Sequence, residues 1–155
     1  PNELLGYNVP SPDFSETKKH IGVLHRAIED GMIRSCHDIS EGGLALALFE
    51  MTSPCRRIGG AIGIAANLSA AGNGLRDDMV LFSETGGFVI EVSPQHAESL
   101  QALAKAAGFE MIKIGTTTSS PTFVLQRNGV TLLSHQLQEL NELYEQALPR
   151  ILGSE

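Results

Sequence analysis

The stretch Cys36-His37-Asp38-Ile39-Ser40-Glu41-Gly42-Gly43 sets an imidazole, two carboxylates, a hydroxyl and two glycines directly before an apolar run, Leu44 to Met51. Those residue types can do two things. A carboxylate at a strand end, here Asp38, can hold a divalent cation such as Mg²⁺. The first backbone N–H groups of a helix, at the positive end of its dipole, can hold a phosphate. Gly42 and Gly43 lack the Cβ atoms that would keep such a ligand away, and Ser40 and His37 stand beside it. The same letters also fit ordinary strand-to-helix punctuation, with Asp38 as a cap and the glycines allowing close packing. The residues alone leave both uses open.

A second cluster, Ser83-Glu84-Thr85-Gly86-Gly87, offers a hydroxyl, a carboxylate and free backbone between a short apolar segment and a strand. It can serve a second ligand face or be a turn with an exposed Glu. The other histidines, His20, His25, His96 and His135, show no metal-ligand spacing. Cys36 and Cys55 make neither a disulfide framework nor a metal set. They read as small hydrophobes, with Cys36 in a buried strand. No nucleophile elbow and no Walker A loop occurs.

These motifs need a scaffold, and the rest of the sequence supplies one. With 155 residues and 42% hydrophobic content, the chain can bury a core of its own. A net charge of −7 argues against a grip on nucleic acid. No apolar run approaches the ~18 residues of a membrane span, and no leader is visible, so a cytoplasmic protein is expected. Residues 1–12 read as an extended lead-in, held out of helix by Pro10 and Pro12. A single subdomain is expected over 13–155. Asp13 or Ser15 can cap a helix over about 15–30, with Ile21, Leu24 and Ile28 as its buried stripe and Gly31 as its end.

Strands are expected at "MIRSC", at the small-residue run 59–66, at "FVIEVS", and in "FEMIKIGTTT", "TFVLQR" and "VTLLS". Residues 67–78 read as loop, and "DDMVLFSE" as one or two helical turns. Ser93-Pro94 gives an N-cap and a first-turn proline. Leu100, Leu103, Ala104 and Ala107 form the stripe of that helix, and Gly108 ends it. Asn128-Gly129 signals a tight hairpin. A last helix is expected from about His135 to Leu148, with Leu137, Leu140, Leu143, Tyr144 and Leu148 on one face. Helices alternating with strands and hairpins give an α+β fold: a layered α/β/α domain with a mixed, largely antiparallel sheet flanked by helices.

The run "SCHDISEGGLALALFEM" closely resembles a segment of the phosphoribosylformylglycinamidine synthase family, within the aminoimidazole-ribonucleotide-synthetase superfamily. That family carries a small residue, then H-D-x-S-[DE]-G-G-L, then an apolar helix ending E-M. His37, Asp38, Ser40, Glu41, Gly42, Gly43, Leu44, Glu50 and Met51 match it. "LHRAIEDGMIRS", "DDMVLFSETGGFVIEVSPQHAE" and "LQELNELYEQALPRILG" resemble the lead-in helix, the later strand region and the C-terminal end of small-type members. "SETGGF" departs from the pattern by lacking an arginine that often follows the serine-glutamate segment.

The resemblance implies the C-terminal subdomain of an ATP-dependent ligase, like the C-terminal domain of aminoimidazole ribonucleotide synthetase and not catalytic alone. Its partners would be the remaining subdomains of the synthetase and a glutaminase subunit or domain, and the Pro1 start fits a piece of a longer protein. It implies ATP and Mg²⁺ for the full enzyme. Asp38 would be the metal ligand, and His37, Ser40, Gly42, Gly43, Ser83 and Glu84 would form the nucleotide or phosphate face. Two alternatives stand beside it: a domain of a selenophosphate-synthetase or hydrogenase-maturation type protein, and a free-standing regulatory or binding module.

Overall fold

The computed structural model describes residues 11–52 and 62–153. The chain divides into two compact units, residues 1–47 with 81–111 and residues 48–80 with 112–155. Residues 1–10 of the expected lead-in, Cys55 and the first part of the expected 59–66 strand lie outside the described residues.

In the first unit, helix α1 (Phe14–Glu29) begins where Asp13 accepts hydrogen bonds from the backbone N–H groups of Ser15 and Glu16. Of the two expected caps, Asp13 and Ser15, the structure uses Asp13. Strand β1 (Ile33–Asp38) pairs antiparallel with β3 (Phe88–Val92) in a two-stranded sheet. Helix α4 (Pro94–Ala106) follows β3, with Pro94 in its first turn. Val23 and Ala27 of α1 meet Leu100 of α4, and Ile33, Ile90, Val92, Leu103 and Phe109 pack around them.

The stripe expected on α1 is corrected. Val23 and Ala27 are 7% and 0% exposed, whereas Ile21 and Ile28 are 52% and 55% exposed. Each step along a helix turns about 100°, so Ala27 and Ile28 occupy different sides. Small residues on the inner side let α1 seat closely, and the bulkier ones lie outside. Ser93 occupies the N-cap of α4, but its hydroxyl makes no cap bond and is buried without a partner among the described residues.

In the second unit a four-stranded sheet runs in the order β4-β2-β5-β6, with β2 (Gly63–Asn67), β4 (Gly115–Thr118), β5 (Thr122–Arg127) and β6 (Val130–Gln136). Pairs β2–β4 and β5–β6 are antiparallel, and β2–β5 is parallel. Asn128 and Gly129 both take positive φ at the β5–β6 hairpin, as that dipeptide requires. Ile64, Ala66, Phe123 and Leu125 form the buried face. The mixed, mostly antiparallel arrangement flanked by helices agrees with expectation, although it is split into two sheets.

Two helices cross from one unit to the other in sequence: α2 (Gly43–Glu50) and α3 (Asp77–Phe82). In α2, Leu44, Ala45, Ala47, Leu48 and Phe49 are buried, so this helix is apolar nearly all round because it is covered nearly all round. The ring of Phe49 meets Phe123 edge-on, 6.2 Å between centroids.

Four further expectations change. The strand in "FEMIKIGTTT" is confined to Gly115–Thr118. His135 belongs to β6, and the last helix, α5, runs over Leu137–Leu152. Its face is buried only at its start: Leu137 is covered, while Leu143, Tyr144 and Leu148 are exposed. Cys36 is exposed, because β1 lies in a two-stranded ribbon whose residues alternate between half-covered and open.

Candidate functional site

The site begins at the end of β1. The pleat sends His37 to the side of Ser35 and Asp38 to the side of Cys36. Across the ladder His37 lies opposite Val89, and Asp38 lies opposite Phe88. The Asp38 carboxylate is 64% exposed. His37 turns back on its neighbour: its Nδ1 donates to the Asp38 carbonyl at 2.7 Å, and Asp38 Oδ1 is 3.6 Å away. The imidazole thereby fixes the backbone at the strand end.

The chain then reverses into α2. Gly42 and Gly43 take φ of +76° and +65°, values that L side chains rarely adopt. They differ in what surrounds them. A Cβ on Gly43 would lie 2.7 Å from the Leu81 carbonyl oxygen and from the Phe82 Cα, both backbone atoms. The atoms nearest a Cβ on Gly42 belong to the Leu46 side chain, its Cδ2 and Cβ among them. Close packing of the chain at Leu81–Phe82 therefore accounts for Gly43. The Gly43 N–H donates to the Ser40 carbonyl at 3.0 Å.

The two polar clusters of the sequence come together here. The Gly42 N–H donates to Glu84 Oε1 at 3.0 Å, and the Ile39 N–H donates to the Gly87 carbonyl at 2.9 Å. The segment from Ser83 to Gly87 is thus laid along the turn that starts α2. The Glu84 carboxylate sits where the helix dipole favours negative charge. Ser40 is exposed and Ser83 is half-buried. Among the described residues no three His, Cys, Asp or Glu side chains are grouped to hold a metal ion. Asp38 fits as a single carboxylate ligand, the role that suits Mg²⁺ when phosphates and water complete its shell. Its charge is felt nearby: partial burial and then Asp38 raise the Cys36 thiol above its ordinary pKa.

Two polar features of the second unit were not singled out from the sequence. Arg127 is 6% exposed. Its guanidinium donates to the carbonyls of Leu75 and Gly72, at 2.9 and 2.8 Å, and to Asp77 Oδ1 at 2.7 Å. It fastens the loop before α3 to the end of β5. An arginine closing an apolar strand just before Asn-Gly was the available signal. The second feature is an open cleft of about 470 Å³ on β2, β4 and β5, where Asn67, Lys113, Thr116 and Gln126 edge a floor of Ala65 and Val124. The small residues of β2 hinted at it. Among the described residues, no helix is long and apolar enough to cross a membrane.

Comparison with known proteins gives this geometry a family. The chain is 33% identical over 141 residues to the phosphoribosylformylglycinamidine synthase subunit PurL of Carboxydothermus hydrogenoformans, covering 90% of this chain and 18% of that protein. It is 31% identical over 152 residues to the same subunit of Aquifex aeolicus, covering 97% and 19%. It therefore spans about a fifth of the length of these curated relatives. The fold is that of Thermotoga maritima PurL. The structure of PurLQS superposes with a TM-score of 0.73 at 17% identity, over 84% of this chain and 22% of that one. PurL complexed with ATP superposes at 0.70 and 18% identity, over 83% and 22%. Residues 2–128 match the model of the AIR synthase related protein, C-terminal domain, and the chain belongs to that family.

Proposed function

We propose that this chain is the C-terminal subdomain of a phosphoribosylformylglycinamidine synthase, residues 13–155 forming the subdomain and 1–12 its lead-in. The observation that carries this is similarity to PurL subunits over nine-tenths or more of the chain. The His37–Gly43 motif lies within the region matched to the family model. The whole enzyme is an ATP-dependent ligase of purine biosynthesis that forms an amidine with nitrogen from glutamine. Its other subdomains and a glutaminase partner supply what this piece lacks, in the cytoplasm. The isolated chain is inactive.

In this reading Asp38 holds Mg²⁺, and the ion, when bound, offsets phosphate charge. Ser40 and Gly42 face the phosphates with a hydroxyl and a backbone N–H, while Gly43, whose own N–H is bonded to the Ser40 carbonyl, lets the turn pack closely behind them. His37 fixes the Asp38 carbonyl, and with it the direction in which β1 delivers the carboxylate. Ser83 and Glu84 form the opposite wall. A phosphate drawn to the Gly42 N–H meets Glu84 already there, so the nucleotide binds weakly unless that side chain moves aside. The exposed position of Asp38 and the meeting of the two segments support this assignment.

The test is a titration of the chain with Mg·ADP followed by amide NMR. Weak shifts confined to residues 38–44 and 83–84, lost in Asp38→Asn, are expected. Saturable binding with shifts elsewhere, or shifts indifferent to Asp38→Asn, would overturn the site.

A further inference from the structure

We draw no further inference here: the strongest candidate, the bulky outer stripe of α1 at Phe14, Ile21 and Ile28, is an unpartnered apolar face, and nothing in the structure shows what covers it.

Discussion

The turn from Asp38 to Gly43 and the loop held by Arg127 are both polar devices at the ends of strands, and they are built in opposite ways. The turn carries the letters of chemistry, yet its carboxylate is largely open to solvent and one side-chain hydrogen bond, Glu84 to Gly42, ties it to its neighbour segment. The loop carries no motif, yet a buried guanidinium gathers two carbonyls and a carboxylate around itself. A group meant to meet a ligand has to leave its polar atoms uncommitted. A group meant to hold a chain has to commit most of them, as Arg127 does with both terminal nitrogens, its buried Nε alone having no partner among the described residues. Within the turn the same division recurs: Gly43 is committed to packing and Gly42 gives its N–H to Glu84, while Ser40 and Asp38 lie on the open side.

The strongest way to sharpen this contrast is to compare the two glycines. Gly43→Ala drives a methyl into the backbone of Leu81 and Phe82 and strains a left-handed residue. We expect a loss of about 2–4 kcal/mol from overpacking and strain together. Gly42→Ala bears similar backbone strain and crowds the Leu46 Cδ2, which can turn away, and the Leu46 Cβ at 2.8 Å, which cannot, so about 1–3 kcal/mol is expected, less than for Gly43. Urea unfolding of both variants measures the difference. Equal losses would mean that the close approach at Leu81–Phe82 is not specific to Gly43.

Next comes Arg127→Met, which keeps much of the apolar stem and removes the donors. The carbonyls of Gly72 and Leu75 lose charged partners, and a loss of about 2 kcal/mol is expected. Asp77 adds little to that figure, because its carboxylate is half exposed and screened by water. Hydrogen exchange should quicken over residues 72–77 more than over the rest of the unit. A uniform change would mean that Arg127 supports the sheet as a whole and not the loop.

These contrasts also explain what the sequence made legible. Local signals were readable because their physics is local: Asp13 capping α1, Asn128-Gly129 closing a hairpin, and Pro94 opening α4 each depend on a few neighbouring residues. The choice between two sides of α1 was not. Ile21, Leu24 and Ile28 make the better apolar stripe, but the partners in space, Leu100 and Phe109, select Val23 and Ala27. The partners of Arg127 were hidden for the same reason, since its acceptors lie about fifty residues away. In the candidate site, each cluster was legible by itself. Their meeting through Glu84 and Gly42 spans 42 residues and needed the fold.

A smaller effect is expected from Glu84→Ala. The lost bond is exposed, so stability should fall by only about 0.5 kcal/mol, the low end for losing a helix cap. The informative readout is the Gly42 amide, whose NMR shift and exchange rate should both change while those of Gly43, bonded to Ser40, hold. If Gly43 moves as much as Gly42, the turn itself has rearranged, and its preformed geometry cannot be credited to local backbone bonds.

The last prediction concerns charge and leaves the structure alone. Asp38 and Cys36 lie two residues apart on one side of β1. The thiol ionises above its ordinary range, chiefly because it is partly covered and secondarily because Asp38 is negative. The folded chain therefore holds this proton more tightly than the unfolded chain does. The associated stability is intact below the unfolded thiol's pKa and is lost as pH rises through the higher folded value. In a Cys55→Ser background, the pH midpoint for alkylation of Cys36 should lie above that of the urea-unfolded chain. Asp38→Asn should lower it part of the way, since burial remains. Mg²⁺ held at Asp38, as proposed above, should lower it in the same direction, because a cation there reverses the sign of the nearby charge. A midpoint that ignores both changes would mean that Asp38 points away from Cys36, and the open, uncommitted carboxylate assigned to the turn would lose its orientation.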